Sequence, residues 1–238
     1  MKIEEYNLKQ LVAPLLEWYK GHARILPWRE FPTPYRVWVS EIMLQQTRVE
    51  AVKPYFERFV EALPDIKSLA ECPEEKLLKL WEGLGYYNRV RNMQTAAKQV
   101  MENYEGMLPE EYGELLKLKG IGHYTAGAVS SIAYGKQAAA VDGNVLRVIS
   151  RGAADERDIM KQSVRSNMEG ELLKILPHDQ PGVFNQALME LGATVCLPNG
   201  EPKCGACPWA SFCLARAEEK ISWIPVKTKR RERSMEER

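Results

Sequence analysis

The sequence predicts an all-α protein, on three observations. Apolar residues recur three and four apart along most of the chain, no segment sustains an apolar-polar alternation between turn signals, and prolines fall between the periodic stretches. The first helical stretch runs from 8 to 19. A second, 35 to 43, follows Pro27, Pro32 and Pro34, residues that cannot continue a helix. The third, 47 to 60, opens on Thr47 and Glu50, a T-x-x-E capping box that also ends the preceding helix near Leu44. Pro64 and Pro73 precede a stretch at 74 to 82, which is followed by one at 90 to 101; Pro109 precedes 111 to 118, and two glycines precede 124 to 134. Asp142 is placed to cap a helix over 144 to 151. The last two stretches, 163 to 176 and 183 to 193, are separated by Pro177, and residues 226 to 238, VKTKRRERSMEER, read as a solvated linker or tail.

Composition narrows the function classes. The chain has 238 residues and a formal net charge of +1, so any nucleic-acid surface must come from local clustering of Lys and Arg. The N-terminus mixes charged and apolar residues where a signal peptide would have a continuous apolar core, and no apolar run reaches membrane-spanning length. The expectation is a monomer in the cytoplasm with no membrane partner. There, five cysteines are expected to bind metal or pack rather than cross-link, and Cys72, alone, is expected to pack.

Four segments carry candidate chemistry. In "VSEIMLQQTRVE", residues 39 to 50, Gln45 and Gln46 occupy the turn after Leu44, with Glu41 one turn back on the face of Gln45. An acid there is expected half buried, although a solvated helix face explains an isolated acid and two amides equally well. In "LKLKGIGHYTAGAV", residues 116 to 129, Gly120 and Gly122 allow a tight hairpin whose backbone N-H groups, at the start of the second helix, can hold a phosphate. The small residues Ala126, Gly127, Ala128, Ser130 and Ser131 let that helix pack closely; an ordinary glycine-rich connection is the simpler alternative. Asp142 in "VDGNV" is explained by its cap alone, but an acid at a helix start also has the fixed orientation that suits a developing positive charge, and Asn144 is placed to orient it or a water. Finally, Cys196, Cys204, Cys207 and Cys213 form a C-x7-C-x2-C-x5-C loop that can enclose one metal centre: a 4Fe-4S cluster first, zinc second, because zinc sites more often use two C-x2-C pairs. The cluster is expected to be structural, ordering a loop between Lys203 and Arg216 that can face phosphates.

Hairpin, aspartate and four-cysteine loop, in that order, resemble the helix-hairpin-helix DNA glycosylase superfamily that includes endonuclease III. Over nearly the whole chain, "LPWR", "TPYRVWVSEIMLQQT", "GLGYYNRVRN", "GIGHYTAGA", "VDGNV" and "FNQALMELGA" resemble the adenine DNA glycosylases of the MutY type. The resemblance implies two α-helical lobes with DNA between them: a six-helix barrel at 29 to 136, and an iron-sulfur domain from 1 to 28 and 137 to 225. It implies removal of adenine mispaired with 8-oxoguanine or guanine in double-stranded DNA, in a bacterial or archaeal cell. It also implies roles. Glu41 protonates adenine N7 and later activates water, and Asp142 supports the sugar cation. Trp28 and Leu44 wall an apolar pocket that raises the pKa of Glu41, with Arg24, Arg29 and Glu190 as its polar partners. Leu44, Gln45 and Gln46 probe the disrupted pair, Thr47 beside them contacts the DNA, Tyr86 wedges beside the opposite base, Tyr87 packs in the core, and Gly120 and Gly122 anchor a phosphate.

Relatives that also cut the strand have a lysine where this chain has Tyr124, so strand cleavage should be weak, and Tyr124 is expected to hydrogen-bond Asp142. Two departures concern the loops: Lys119 stands where the family often has proline, and the first cysteine spacing is seven where the family has six. Relatives usually continue into a C-terminal 8-oxoguanine-recognition domain, so this chain is expected to be a natural minimal form or a truncated one. A G:T mismatch thymine glycosylase and a non-catalytic cluster-bearing DNA-binding module are the rival readings.

Overall fold

The computed structural model describes residues 3–228, and the described residues contain helices, turns and loops but no strand. The tail expected at 226 to 238 lies almost wholly outside the described residues. No helix of those described is long and apolar enough to cross a membrane.

After a 3₁₀ turn, Leu8–Leu11, come α1 (Val12–His22), the short α2 (Pro27–Glu30) and α3 (Pro34–Leu44). Proline at the first position of α2 and of α3 sets φ where no intrahelical N-H is needed, and Thr33 caps α3 by accepting from Arg36 N. Next, α4 (Val49–Ala62) starts two residues later than its sequence signal. The Thr47–Glu50 box does not form: Arg48 is the cap residue, with no side-chain cap bond, and the Thr47 hydroxyl donates to Gln45 O at 3.3 Å. Gln46 at φ 58° turns the chain out of line, so the threonine points back at the turn instead of forward into the helix.

Short helices escape the periodicity, α2 among them: α5 (Ile66–Glu71) is too short to show a pattern, but an Asp65–Ser68 capping box starts it. It packs against α7 (Asn88–Asn103), which follows α6 (Glu74–Trp81). The stretch expected at 111 to 118 is helical only over α8 (Tyr112–Leu115), because the chain must turn into the hairpin, where Gly120 adopts φ +78°. The hairpin's second helix, α9 (His123–Ala128), continues as a π-helical segment, Val129–Ala133. Then come α10 (Gly143–Gly152), α11 (Gln162–Leu173), α12 (Pro181–Thr194) and the short α13 (Leu214–Ala217).

Buried side chains form two main cores. The first gathers Trp38, Met43, Phe56, Phe59, Trp81 and Met93 from α3 to α7, with Cys72 packed among them. The second gathers Leu11, Leu15, Val145, Ile149, Leu188 and Trp209 from the N-terminal segment and from the chain after the hairpin. Leu26 and Trp28, expected on the side of the N-terminal helix, pack into the first core instead, because α2 lies against α3 and α4.

The small residues of the hairpin helix join the two. A Cβ on Gly127 would lie 2.0 Å from Ala139 O, so only glycine permits this approach. Buried Asn185 of α12 completes the seam: its amide donates to Ser131 Oγ and Ala138 O, both at 2.8 Å, and its carbonyl accepts from Ala140 N at 3.2 Å. Each buried polar group there is paired, as burial requires.

Candidate active site

The C-terminal half of α3 presents Glu41 toward the seam between the cores. Pattern alone suggested half burial, but the residue is only 6% exposed, since Trp28, Leu44 and the hairpin helix close over it. Tyr124 Oη donates to Glu41 Oε2 and lies 3.4 Å from Met189 Sδ. The expected bond from Tyr124 to Asp142 is not made: α9 delivers the phenol to the α3 side of the cavity, and local groups already hold both Asp142 oxygens. Burial pushes the Glu41 carboxyl up to about 7; the bond from Tyr124 opposes this, the Asp142 charge adds to it and Arg29 opposes it.

Asp142 caps α10, its Oδ1 accepting from Val145 N at 2.7 Å, while Asn144 Nδ2 donates to its Oδ2 at 2.8 Å. Burial raises the Asp142 pKa, and bonds from the Val145 backbone and Asn144, with the Arg147 charge, work against that rise. Asn144 is itself held. Arg147 Nη2 donates to Asn144 Oδ1 at 2.9 Å and to Gly192 O at 2.8 Å, and a Cβ on Gly192 would come within 2.6 Å of Asn144 Cβ. The carboxylate thus has a fixed aim set by α10 and α12 together.

Both acids line one cavity of about 700 Å³, which has the capacity for a nucleoside. Arg24, Trp28, Arg29, Leu44, Gln45, Gln46, Thr47, Tyr124, Asn144 and Glu190 line it as well. Behind it, fully buried Glu190 accepts from Arg24 N at 3.1 Å, Arg24 Nε at 2.6 Å, Arg24 Nη2 at 3.1 Å and Arg29 Nη2 at 2.8 Å. Burial alone would raise its pKa, but the hydrogen bonds and charges of Arg24 and Arg29 together outweigh that and hold the carboxyl below its usual range.

Of the residues predicted to meet substrate or DNA, three lie outside this cavity. Gly120 and Gly122 line an adjoining cavity of about 390 Å³ that shares Gln45 and Tyr124 with the first. Gly122 is the cap residue of α9, whose first N-H groups have no partner within the helix. Tyr86 stands at a loop tip, 62% exposed and at φ 49°. Tyr87, expected in the core, is 37% exposed, because the turn into α7 directs it outward. Sequence reasoning missed Met189 and Ser40 on the cavity wall, which carry no signal apart from helix periodicity, and it missed Arg89. Arg89 did leave a trace: a cation in the first turn of α7 opposes the helix dipole, so its partners had to be elsewhere.

Cys196, Cys204, Cys207 and Cys213 are not disulfide-bonded and line a second, smaller cavity. Arg151 Nη1 donates to Cys196 Sγ at 3.3 Å, and Cys213 Sγ donates to Arg151 O at 3.4 Å. Burial pushes the Cys207 thiol up to about 11, and the other three cysteines add to the rise. A soft, fourfold sulfur donor set whose thiolates repel one another fits a thiophilic metal centre. Among the described residues no three such side chains close on a single ion; the sulfurs ring a cavity.

Residues 39–173 match the family described as HhH-GPD superfamily base excision DNA repair protein. The chain is similar to an adenine DNA glycosylase of Buchnera aphidicola subsp. Acyrthosiphon pisum, 38% identical over 94% of this chain and 63% of that protein. It is 43% identical to the Homo sapiens adenine DNA glycosylase over 85% of this chain and 38% of the human one. It therefore spans only part of the length of these curated relatives. Among solved structures it resembles a thermostable thymine-DNA glycosylase, with TM-score 0.78 and 28% identity over 88% of this chain and 96% of that one. It also resembles endonuclease III in a non-covalent DNA complex, with TM-score 0.74 and 25% identity over 91% and 99%. The chain belongs to the HhH-GPD superfamily of base excision DNA repair proteins.

Proposed function

We propose that this protein is a monofunctional DNA glycosylase that removes adenine mispaired with 8-oxoguanine or guanine from double-stranded DNA. The observation that carries the reading is the pair of acids in one cavity, Glu41 protonated near neutral pH by burial and Asp142 aimed by its cap and Asn144. Hydrolysis of an N-glycosidic bond needs those two unlike carboxyls, one to protonate the departing base and one to face the sugar's positive charge. With Oε2 held by Tyr124, Oε1 of Glu41 is the oxygen left to carry a proton to adenine N7. Asp142 then stabilises the sugar cation, and Glu41, having given up its proton, activates the attacking water. Tyr124 provides no amine, so no Schiff base forms and the strand stays intact.

The base reaches the cavity only if it is flipped from the stack. In this reading the turn at Leu44, Gln45 and Gln46 and the loop tip at Tyr86 fill the space it leaves, while N-H groups at Gly120 and Gly122 hold a phosphate. The first core corresponds to a barrel lobe and the second to the lobe carrying the cysteines. Those cysteines would hold a 4Fe-4S cluster, which supplies order to the loop and no chemistry to the cleavage. Protein purified under anaerobic conditions is expected to contain about four iron and four acid-labile sulfide per chain; one zinc and no sulfide would refute the cluster.

The similarity to a thymine-DNA glycosylase structure favours a second reading, thymine removal from G:T pairs. Duplexes with adenine opposite 8-oxoguanine, adenine opposite guanine and thymine opposite guanine, each incubated with protein and then treated with alkali, separate the readings. Strand breaks at adenine that depend on the alkali are expected. Breaks at thymine alone would support the second reading, and no breaks in any duplex would leave a DNA-binding module.

A further inference from the structure

The proposed chemistry makes no use of Arg89, whose side chain bonds to two separate loops. Its Nη1 donates to Ile42 O at 2.9 Å, to Met43 O at 3.1 Å and to Gln45 O. Its Nη2 faces Leu84 O at 3.2 Å, Gly85 O at 3.3 Å and Thr47 Oγ1 at 3.4 Å. Ile42 and Met43 are among the last residues of α3, whose carbonyls have no partner within the helix and whose dipole end favours a cation. The guanidinium lies over Trp81 and Tyr86, 5.4 and 5.5 Å from their ring centroids. One planar cation thus ties together two loops about forty residues apart in the chain.

Each of those loops holds a non-glycine residue in the left-handed region, Gln46 at φ 58° and Tyr86 at φ 49°. Such residues persist only where their surroundings hold them. Carbonyls beside both, Gln45 O and Gly85 O, are bonded to the same guanidinium, and the two loops line one surface groove with Arg89 between them.

We infer that Arg89 is a positioning residue that fixes the Gln45–Gln46 turn and the Tyr86 loop at one separation, so that both enter the duplex together. This rests on the proposed base excision, because it assigns a purpose to the two loops which that reading brings to the DNA. Lysine cannot replace arginine there, since one ammonium cannot span acceptors on two loops.

The test compares Arg89→Lys and Arg89→Leu with the unaltered protein. Under single-turnover conditions, adenine release from a paired duplex is expected to fall on the order of tenfold to a hundredfold, the effect of a misplaced group. When the same adenine lies opposite an abasic-site analogue, with no pair to open, the deficit should shrink to about twofold. A 2-aminopurine opposite the target should brighten on binding of the unaltered protein and not of the variants. Equal losses on both substrates, no loss on either, or equal brightening with the variants would overturn the inference. Melting temperatures check the fold, and Arg89→Lys, which keeps the charge over Trp81, serves if Arg89→Leu does not fold. Failure of the unaltered protein to release adenine would sink the functional reading, while the 2-aminopurine signal would still decide the role of Arg89.

Discussion

Glu41→Gln is expected to bind an adenine-containing duplex as the unaltered protein does and to release adenine roughly a hundred to ten thousand times more slowly, the range for a positioned acid-base group. Glutamine keeps the volume in the pocket and can still accept from Tyr124, so binding and fold should survive while the transferable proton is lost. Fluorescence anisotropy together with single-turnover excision separates the two; full activity in the variant would remove Glu41 from the mechanism. In the proposed mechanism only the protonated carboxyl can give the departing base its proton, so adenine release by the unaltered protein should also fall as pH rises through about 7.

The same carboxyl affects stability, with a definite sign. The fold raises its pKa from 4.5 to about 7, so the folded state holds the proton more tightly than the unfolded one. That contribution is complete below about pH 4.5 and lost as pH rises through about 7, a difference on the order of 3 kcal/mol. Glu41→Gln cannot ionise, so at pH 8 it should melt no lower than the unaltered protein. A lower melting temperature would mean that the ionised carboxylate is well accommodated in its pocket.

Glu190→Ala is expected to cost about 3 kcal/mol, near the lower end for removing one partner of a buried ion pair. The lower end applies because the Arg24 side chain is 34% exposed and water can take up part of its charge. For a chain of this size that corresponds to a melting temperature lower by about 10 °C. The loss reflects more than charge: Glu190 on α12 holds both Arg24 and Arg29, which reach it from the segment before and within α2, and both line the cavity with Glu41. Because the fold depresses the Glu190 pKa, its stabilisation is present above the unfolded value and fades as acid protonates it. The gap between variant and unaltered protein should therefore narrow as pH falls below the ordinary carboxylate range and through the lowered folded value. Thermal scans at pH 7 and pH 3.5 check both statements, and an unchanged melting temperature at pH 7 would show the pair to be dispensable.

Local signals were legible where one segment satisfies itself. The cap of Asp142 on Val145 N and the bond from Asn144 span three residues or fewer, and both follow from residue type and position. The end of α3 near Leu44 was equally plain. The capping box at Thr47 misled because it, too, is a local pattern, and Arg89, forty-two positions away, draws the turn out of the geometry the box requires. Short α5 was lost because six residues give no period to read.

By itself the sequence determined the longer helices, most of their boundaries and the residue types able to do the chemistry, since helix hydrogen bonds and caps join near neighbours in the chain. Only the tertiary structure decided that Tyr124 serves Glu41, that Leu26 and Trp28 join the first core, and that Arg89 spans two loops. Tyr124 and Glu41 are 83 positions apart, Arg24 and Glu190 are 166. No periodicity encodes such pairings: they follow from how two apolar cores, each burying its own helix faces, come to rest against each other at Gly127 and Asn185.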